Sequence, residues 1–314
     1  MLFVCMVYIS SCNDKKPIEI DLKSAPTSAE VFGKNVISTE MYERDIAITP
    51  DGNEIIYTLG DYKQSKRCLV RIREVNGEWQ SPEILNLSGT YQDIEPFYAE
   101  GGNKLFFASN RPINNDSLRT DYNIWVSERE DQQWSEPIPL PENINSAGQE
   151  FFPSLSKNGN LYFTATRKDG IGSEDIFMSE FVNGIYENPT VLDSAINTST
   201  YEFNAYINPD ENLLIFSSYG RPDDMGGGDL YYSTKDEKGK WQPSKNMGNK
   251  INSTKLDYCP FVDLTNNTFY FTSERMKENK ATFKNVKDLK SHANKPQNGM
   301  GDIYSTDFGS LNIN

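Results

Sequence analysis

Residues 202–233 read "EFNAYINPDENLLIFSSYGRPDDMGGGDLYYS", and this stretch contains three short apolar runs separated by turn-forming residues. The runs are rich in aromatic and aliphatic residues, and Asp, Asn, Pro and Gly lie between them, which is typical of β-strands joined by tight turns. The stretch begins with a carboxylate, Glu202, eight residues before the turn at Asp210. We therefore interpret it as part of one antiparallel sheet.

The same unit occurs five times along the chain. Each copy begins with a carboxylate eight residues before a turn, and these carboxylates lie 50, 57, 52 and 55 residues apart. They are Glu43, Asp93, Glu150, Glu202 and Asp257, called the ring carboxylates below. Each turn leads into a second strand-like run, such as "EIIYTL" or "TFYFTS", and then into a third run and a fourth extended stretch. Four strands at a period near 50 residues predict an all-β fold, a five-bladed β-propeller.

The fifth unit lacks its fourth strand, and the beginning of the chain supplies a matching piece. Residues 29–43, "AEVFGKNVISTEMYE", resemble a fourth strand and its link to a first strand. An aliphatic residue precedes the ring carboxylate by six residues in every copy: Ile37, Leu87, Ile144, Ile196 and Ile251. We therefore expect the N-terminal strand to complete the last blade and close the ring, which removes two open sheet edges.

These units resemble the TolB-type, WD-like propeller repeat of bacterial envelope proteins. The resemblance covers residues 25–314 and is carried by "ITPDGNEIIYT", "LFFASNRP", "LYFTATR", "EDIFMSE" and "FSSYGRPDDMGGGDLYYS". It implies a β-propeller domain in the cell envelope, although propellers of this type usually have six blades. Because the functions of the family are diverse, the resemblance favours no single activity.

The first twelve residues, "MLFVCMVYISSC", are apolar and then small, and they carry no charge. Residues 9–12 resemble a bacterial lipobox, which implies cleavage before Cys12 and lipidation of its sulfur. The predicted organisation is a signal segment at 1–11, a flexible tether at 12–24 and a β-propeller domain at 25–314. The expected location is the bacterial outer membrane, as a lipoprotein facing the periplasm or the surface. The alternative is a frayed apolar N-terminus.

Composition limits the remaining chemistry. The chain has 314 residues and a net charge of −14, which argues against nucleic acid as a partner. Cys68 and Cys259 lie at no metal-ligand spacing and are expected to be core cysteines. His292 is the single histidine, and no phosphate-binding glycine motif is present. The sequence therefore predicts no catalytic residue, no metal and no cofactor.

Three polar features recur at one end of the predicted blades, since first and third strands begin where second strands finish. The first is the ring carboxylate. The second is an arginine after strand two: Arg111, Arg167, Arg221 and Arg275. The third is an acid or amide that begins strand three: Asn123, Asp175, Asp229 and Asp302.

Two interpretations of these features remain open. The ring carboxylates could bind a cation or sugar at the channel mouth, or supply a glycosidase pair. Alternatively, each arginine ties its own blade's aspartate to a first-strand carboxylate, since structural networks repeat whereas active sites break symmetry. Glu43 begins a unit that lacks both other features, and it is the first functional candidate of the ring.

The loops between strands two and three vary most, and the longest is residues 276–301. It is basic in an acidic protein, and Phe283, Val286, Leu289 and Ala293 lie at helical spacing, which predicts a short amphipathic helix. One hypothesis is that it docks an acidic partner or membrane-proximal surface, and the alternative is a solvated insertion. In the loop of the fourth unit, Asp223 and Asp224 remain as candidates for a weak cation contact.

The leading prediction is a non-enzymatic, lipid-anchored propeller that binds an envelope protein partner through these loops. The alternative is a propeller that binds or hydrolyses a glycan with its channel-mouth carboxylates.

Overall fold

The computed structural model describes residues 17–115, 119–277 and 282–313. Within these ranges the chain forms five antiparallel sheets around a central axis, which confirms the five-bladed propeller. The first strand of each blade is innermost and packs against the first strands of both neighbouring blades, and blade five packs against blade one. These first strands are Tyr42–Ile48, Asp93–Ala99, Glu150–Leu155, Tyr201–Ile207 and Asp257–Asp263.

The second strands form the middle of each sheet and are buried at nearly every residue. They are Glu54–Gly60, Lys104–Ser109, Leu161–Ala165, Leu213–Tyr219 and Thr268–Ser273. Their aromatic and aliphatic side chains face the adjoining blades, so the core lies in layers between the sheets. This burial on both faces explains why these runs read as continuous apolar stretches.

The third and fourth strands complete the blades towards the outside. The third strands are Arg67–Val75, Asn123–Glu130, Asp175–Ser179, Asp229–Thr234 and Asp302–Asp307. The fourth strands of blades one to four are Glu83–Ile84, Ile138–Pro139, Thr190–Val191 and Lys245–Asn246. Short hairpin strands extend the first three blades at Glu78–Trp79, Gln133–Trp134, Phe181–Val182 and Ile185–Tyr186.

The ring closes as the repeat spacing predicts. Strand Glu30–Val31 pairs with Asp302–Asp307, with Val31 opposite Tyr304, and so becomes the fourth strand of blade five. The backbone N–H of Phe32 continues the ladder by donating to the carbonyl of Ile303 at 2.8 Å. Blade five is therefore built from both ends of the sequence.

Residues 17–24 differ from the prediction of a flexible tether. Leu22 is buried in the apolar layer between blades five and one, and Ile18 forms an antiparallel bridge with Trp79. The indole Nε1 of Trp79 donates to the carbonyl of Ile20 at 3.1 Å. Alternating aliphatic side chains make this segment strand-like, because Ile18, Ile20 and Leu22 all face the same side. The predicted signal segment and the lipidation site Cys12 lie outside the described residues.

The remaining regular elements are short. One α-helix runs over Val286–Ala293, and single turns of 3-10 helix occur at Glu100–Gly102, Ile113–Asn115 and Gly309–Leu311. No helix among the described residues has the length and apolar character that a membrane span requires.

Candidate functional site

The five ring carboxylates are completely buried rather than exposed at a channel mouth. Each accepts a hydrogen bond from a serine or threonine hydroxyl four or five residues earlier, in the link from the preceding blade. These hydroxyl groups belong to Thr39, Ser88, Ser146, Thr198 and Ser253. The bonds join the link between two blades to the first strand that follows, and so stabilise the junction between blades.

The arginines after strand two pair with ring carboxylates in three blades. Arg111 contacts Asp93 at 2.6 Å and Arg275 contacts Asp257 at 2.6 Å. The third pair joins Arg221 to Glu202 at 3.0 Å. Each of these arginines also donates to a backbone carbonyl of the preceding link. This geometry is that of a repeated structural tie.

Blade three departs from this pattern. Arg167 donates to the carbonyl of Asn143 at 2.8 Å, and Glu150 accepts its side-chain hydrogen bond from Ser146. The second carboxylate oxygen of Glu150 is buried without a hydrogen-bond partner. Burial raises the pKa of Glu150, while the positive charge of Arg167 lowers it.

The acids that begin strand three do not pair with these arginines, so that part of the expected tie is wrong. Asp175 accepts from the backbone N–H groups of Ile171 and Gly172, and Asp302 accepts from Gln297 N–H at 2.7 Å. They hold their own loops closed, because the backbone of a tight return leaves N–H groups that need an acceptor.

In blade four, Asp229 is bound by the backbone N–H of Met225 at 2.9 Å and by the amide of Asn246 at 2.6 Å. It was expected to pair with Arg221, which binds Glu202 instead. In blade two, Asn123 donates to Asp121 and accepts from Arg119.

The glycine-rich loop of blade four has a structural role of the same kind. A Cβ on Gly227, whose φ is 80°, would lie 2.7 Å from the backbone N of Leu256 in blade five, so only glycine fits there. Asp223 accepts from the hydroxyl of Tyr231, and Asp224 accepts from two backbone N–H groups of its own loop. Both carboxylates are therefore engaged within the fold.

Glu43 has no arginine partner, as its sequence context predicts. Its carboxylate accepts from the backbone N–H and the hydroxyl of Thr39. Burial raises the pKa of Glu43 to about 7, and the nearby carboxylate of Asp302 adds to this rise. Glu43 and Asp302 share this property, since burial also raises the pKa of Asp302 to about 7.

The residues that break the fivefold symmetry lie two positions after the ring carboxylates. Every first strand has a β-bulge there, and the bulged residue has a φ between 47° and 59°. The five bulged residues are Asp45, Glu95, Phe152, Asn204 and Cys259. Bulges re-aim side chains, and non-glycine residues with positive φ concentrate at functional sites.

These side chains converge on the propeller axis, where Arg44 joins them. We call Arg44, Asp45, Glu95, Phe152, Asn204 and Cys259 the axial cluster. Arg44 contacts Asp45 at 2.8 Å and Glu95 at 2.7 Å. The amide of Asn204 donates to Glu95 at 3.1 Å, and the backbone N–H of Phe152 donates to it at 2.7 Å. Glu95 therefore bonds to groups from three other blades.

The electrostatics of the axial cluster depend on one cation and two carboxylates. The Asp45 and Glu95 side chains are 1% and 3% exposed, and Arg44 is 11% exposed. Burial raises the pKa of Glu95 to about 7; Arg44 opposes the rise and Asp45 adds to it. Burial also raises the pKa of Cys259 well above its usual range, so its thiol stays protonated.

Aromatic and polar side chains cover the axial cluster at the end where the first strands begin. The guanidinium of Arg44 lies 4.9 Å from the ring centre of Tyr258, whose hydroxyl donates to that of Tyr42 at 3.2 Å. Tyr42 donates in turn to Glu274. Among the described residues, no group of three His, Cys, Asp or Glu side chains is arranged to hold a metal ion.

The basic insertion, residues 276–301, lies at the end of the propeller where the first strands begin. We call this end of the propeller the loop face. Asn285 caps the helix Val286–Ala293, and none of the helical residues is buried. Met276, Phe283, Val286 and Leu289 are 50%, 41%, 69% and 51% exposed. The lysines that flank these apolar side chains are Lys277, Lys284, Lys287, Lys290 and Lys295. The predicted amphipathic helix is present from Val286 onwards, so Phe283 lies before it, and the apolar side chains of Val286 and Leu289 are open to solvent.

No protein-family model matches this chain, and no curated protein matches it in sequence. TolB from Acinetobacter baumannii aligns with 83% of the chain at 13% identity and a TM-score of 0.46, and the chain spans 53% of that protein. A putative TolB from Agrobacterium tumefaciens aligns with 80% of the chain and 78% of its own length, at 15% identity and a TM-score of 0.51.

A GH43 endo-arabinanase from Bacillus licheniformis aligns with 85% of the chain and 93% of its own length, at 11% identity and a TM-score of 0.52. At such identities the similarity concerns the fold alone. The chain therefore has the β-propeller fold that TolB-like proteins and an endo-arabinanase share.

Proposed function

We propose that this protein is a non-enzymatic interaction module of the bacterial envelope that binds an acidic protein partner through its loop face. The basic insertion carries this proposal, because its helix has four exposed apolar side chains nearby and no buried residue. Exposed apolar area surrounded by charged residues is typical of protein-binding surfaces. The insertion has six lysines and two acidic residues in its sequence, and this excess of positive charge favours an acidic surface on the partner.

The contacts of the ring carboxylates and the axial carboxylates support a binding role for the protein over a catalytic one. Three ring carboxylates are neutralised by arginines, and both axial carboxylates contact Arg44. A glycosidase needs one protonated and one ionised carboxylate open to its substrate. The ring carboxylates are fully buried, which removes them as candidates for that role.

Site-specific photo-crosslinking in cells tests the proposal. A photoreactive residue at Val286 should give one discrete adduct, whereas the same residue at Ile138, which is also exposed on the outside of blade two, should not. Changing Lys284, Lys287 and Lys290 to Glu should abolish the adduct, because charge complementarity is lost. Equal adducts from both positions, or an adduct that survives the charge reversal, would contradict a partner at the loop face.

Membrane attachment belongs to the same proposal. The lipobox-like sequence before Cys12 supports a lipid anchor. Cys12→Ala should move the protein from the membrane fraction to the soluble fraction without changing its melting temperature. Membrane association that persists in this variant would contradict the anchor.

One observation favours the glycan alternative. Glu95 lies beside a second carboxylate, Asp45, at the propeller axis, and burial raises the pKa of Glu95 to about 7. A catalytic glycosidase role would require Arg44 to release them. Hydrolysis of an arabinan or another glycan that is lost in Glu95→Gln, with folding intact, would replace the binding proposal by an enzymatic one.

A further inference from the structure

A groove between blades five and one is filled by the chain's own residues 18–22. Leu22 is buried there, and Ile18 and Ile20 pack against the same apolar cluster. Glu19 and Asp21 alternate with them and are exposed. The segment also bonds through its backbone, by the bridge of Ile18 to Trp79 and the hydrogen bond from the Trp79 indole to the Ile20 carbonyl.

The repeat relates this groove to the one between blades two and three. Counted from the ring carboxylates, Leu155 takes the place of Ile48, and Gly159 takes the place of Gly52. Tyr186 takes the place of Trp79 on the outer hairpin. On the neighbouring blade, Phe97 and Phe106 are paired as Phe261 and Tyr270 are in blade five. The walls of the two grooves are therefore equivalent.

The groove between blades two and three is open. It has a volume of about 660 Å³, and its lining includes Phe97, Phe106, Leu155, Phe181 and Tyr186. Ser156, which also lines it, is 7% exposed, and its hydroxyl has no hydrogen-bond partner. A cavity of this size with few polar groups is typical of a binding site.

The outer wall of this groove is a short hairpin. Within the described residues, strand Ile185–Tyr186 pairs with Phe181–Val182 and with no other strand. The carbonyl of Tyr186 on its outer edge accepts from the side-chain amide of Asn143 at 2.8 Å. A bound segment would therefore be held by alternate side chains placed in the groove.

The charged groups at the rim of the groove favour neither sign in a bound segment. Lys104 and Lys157 line the groove together with Glu100 and Glu128. Both lysines already pair with carboxylates of the chain. In the chain's own segment the residues between the aliphatic ones, Glu19 and Asp21, are exposed, so these positions require only polar side chains.

We infer that the groove between blades two and three binds an extended segment of a partner protein, with aliphatic side chains at alternate positions and polar ones between them. Residues 18–22 of the chain fill the equivalent groove in this manner. This site lies at the end of the propeller opposite the loop face, because turns between first and second strands line it. It is therefore a second contact, separate from the basic insertion.

A labelled peptide with the sequence of residues 17–24, PIEIDLKS, is a suitable probe, with binding followed by fluorescence anisotropy. Phe181→Ala should weaken binding about tenfold, since it removes apolar contact from the groove and this side chain is not buried. Tyr62→Ala, at an exposed site on the loop face, should leave the affinity unchanged. A peptide with serine in place of its three aliphatic residues should not bind.

Three results would overturn the inference. The first is no binding of the peptide by the intact chain, and the second is equal binding by all variants and by the serine peptide. The third is a dimer that Leu22→Ser dissociates, because the groove would then hold the segment of a second copy. Charge reversal of the basic insertion should not affect peptide binding, so failure here is distinguishable from failure at the loop face.

Discussion

At the scale of single residues, the structure separates two kinds of carboxylate. Ring carboxylates such as Asp93 sit in repeated ties to arginine and serine. Glu95 has one contact to Arg44 and hydrogen bonds from two further blades. The first kind stabilises the junctions between blades. The second kind brings a carboxylate into contact with a guanidinium, an amide and a backbone N–H group at the propeller axis. Both kinds respond to substitution in ways that experiments can separate.

Removing the cation from a buried tie should be costly. Arg111→Met leaves Asp93 buried with its charge uncompensated and should lower the free energy of unfolding by about 3–5 kcal/mol. Arg167→Met removes the equivalent arginine of blade three, which contacts a backbone carbonyl, and should cost markedly less. Urea unfolding of both variants measures the difference. Equal decreases in the free energy of unfolding would show that Arg111 does not stabilise the fold through its ion pair with Asp93.

The raised pKa of Glu95 makes stability depend on pH. The folded protein holds this proton up to about pH 7, whereas the unfolded chain releases it near the usual 4.5. The folded state therefore binds more protons between these values, and stability falls as pH rises through this window. Glu95→Gln should reduce the loss between pH 5 and pH 8 by up to about 3 kcal/mol.

Urea unfolding at both pH values checks this prediction, with Glu128→Gln as the exposed control. Glu43 and Asp302 have raised pKa values as well, so part of the slope should remain in the variant. A slope identical to that of the unchanged protein would mean that Glu95 is ionised throughout this range.

At the scale of elements, the basic insertion is attached to the propeller by a narrow base. The backbone N–H of Lys277 donates to the carbonyl of Gln297 at 3.2 Å, so the two ends of the insertion are adjacent. The helix Val286–Ala293 buries no residue. Its contribution to the stability of the propeller should be small.

Replacing residues 278–295 with a two-residue Gly-Asn turn should therefore leave the melting temperature within about 2 °C, because the helix buries no residue and the buried Pro296 is kept. The same deletion should abolish partner capture by the loop face. Circular dichroism during heating and crosslinking at a loop-face position measure the two effects. A large fall in melting temperature would show that the insertion is part of the fold.

The elements were predictable from the sequence where they repeat. Constant spacing from Ile37 to Glu43 and its four counterparts predicts both the blade count and the closure of the ring. The partners of Asp229 were not predictable in this way, because the backbone N–H groups of a loop leave no mark in the sequence. The axial cluster was missed for a related reason: a bulge changes the direction of Cys259 without changing the apolar pattern around it. Comparing the copies at the second position after each ring carboxylate, where every residue differs, would have revealed it.

At the scale of the whole molecule, the ring depends on the strand that both ends of the sequence complete. Ile37 and Ser38 in the following link are fully buried, and the hydroxyl of Ser38 accepts from the backbone N–H of Ile303 at 3.1 Å. Opening this junction would expose one edge of the third strand in blade five. The rest of the ring would lose its closing contact.

Two truncations of the chain test this dependence. Starting at residue 25 removes the burial of Leu22 and should cost about 2 kcal/mol, while unfolding stays cooperative. Starting at residue 37 also removes strand Glu30–Val31 and should cause aggregation or the loss of a single cooperative transition. Calorimetry of the two proteins distinguishes these outcomes. Similar melting of both would show that four blades and an incomplete fifth are sufficient.

The bulge in each first strand also bears on how such a protein can be changed. The residue that holds the blade in place, the ring carboxylate, and the residue that faces the axis lie two positions apart. The axial residue can therefore vary while the ring carboxylate stays constant. Five independent sites, one from each blade, then meet at a single point inside a rigid wall. Combined substitution of the five bulged residues could create a binding site of chosen selectivity while the rest of the propeller is left unchanged. These residues are Asp45, Glu95, Phe152, Asn204 and Cys259.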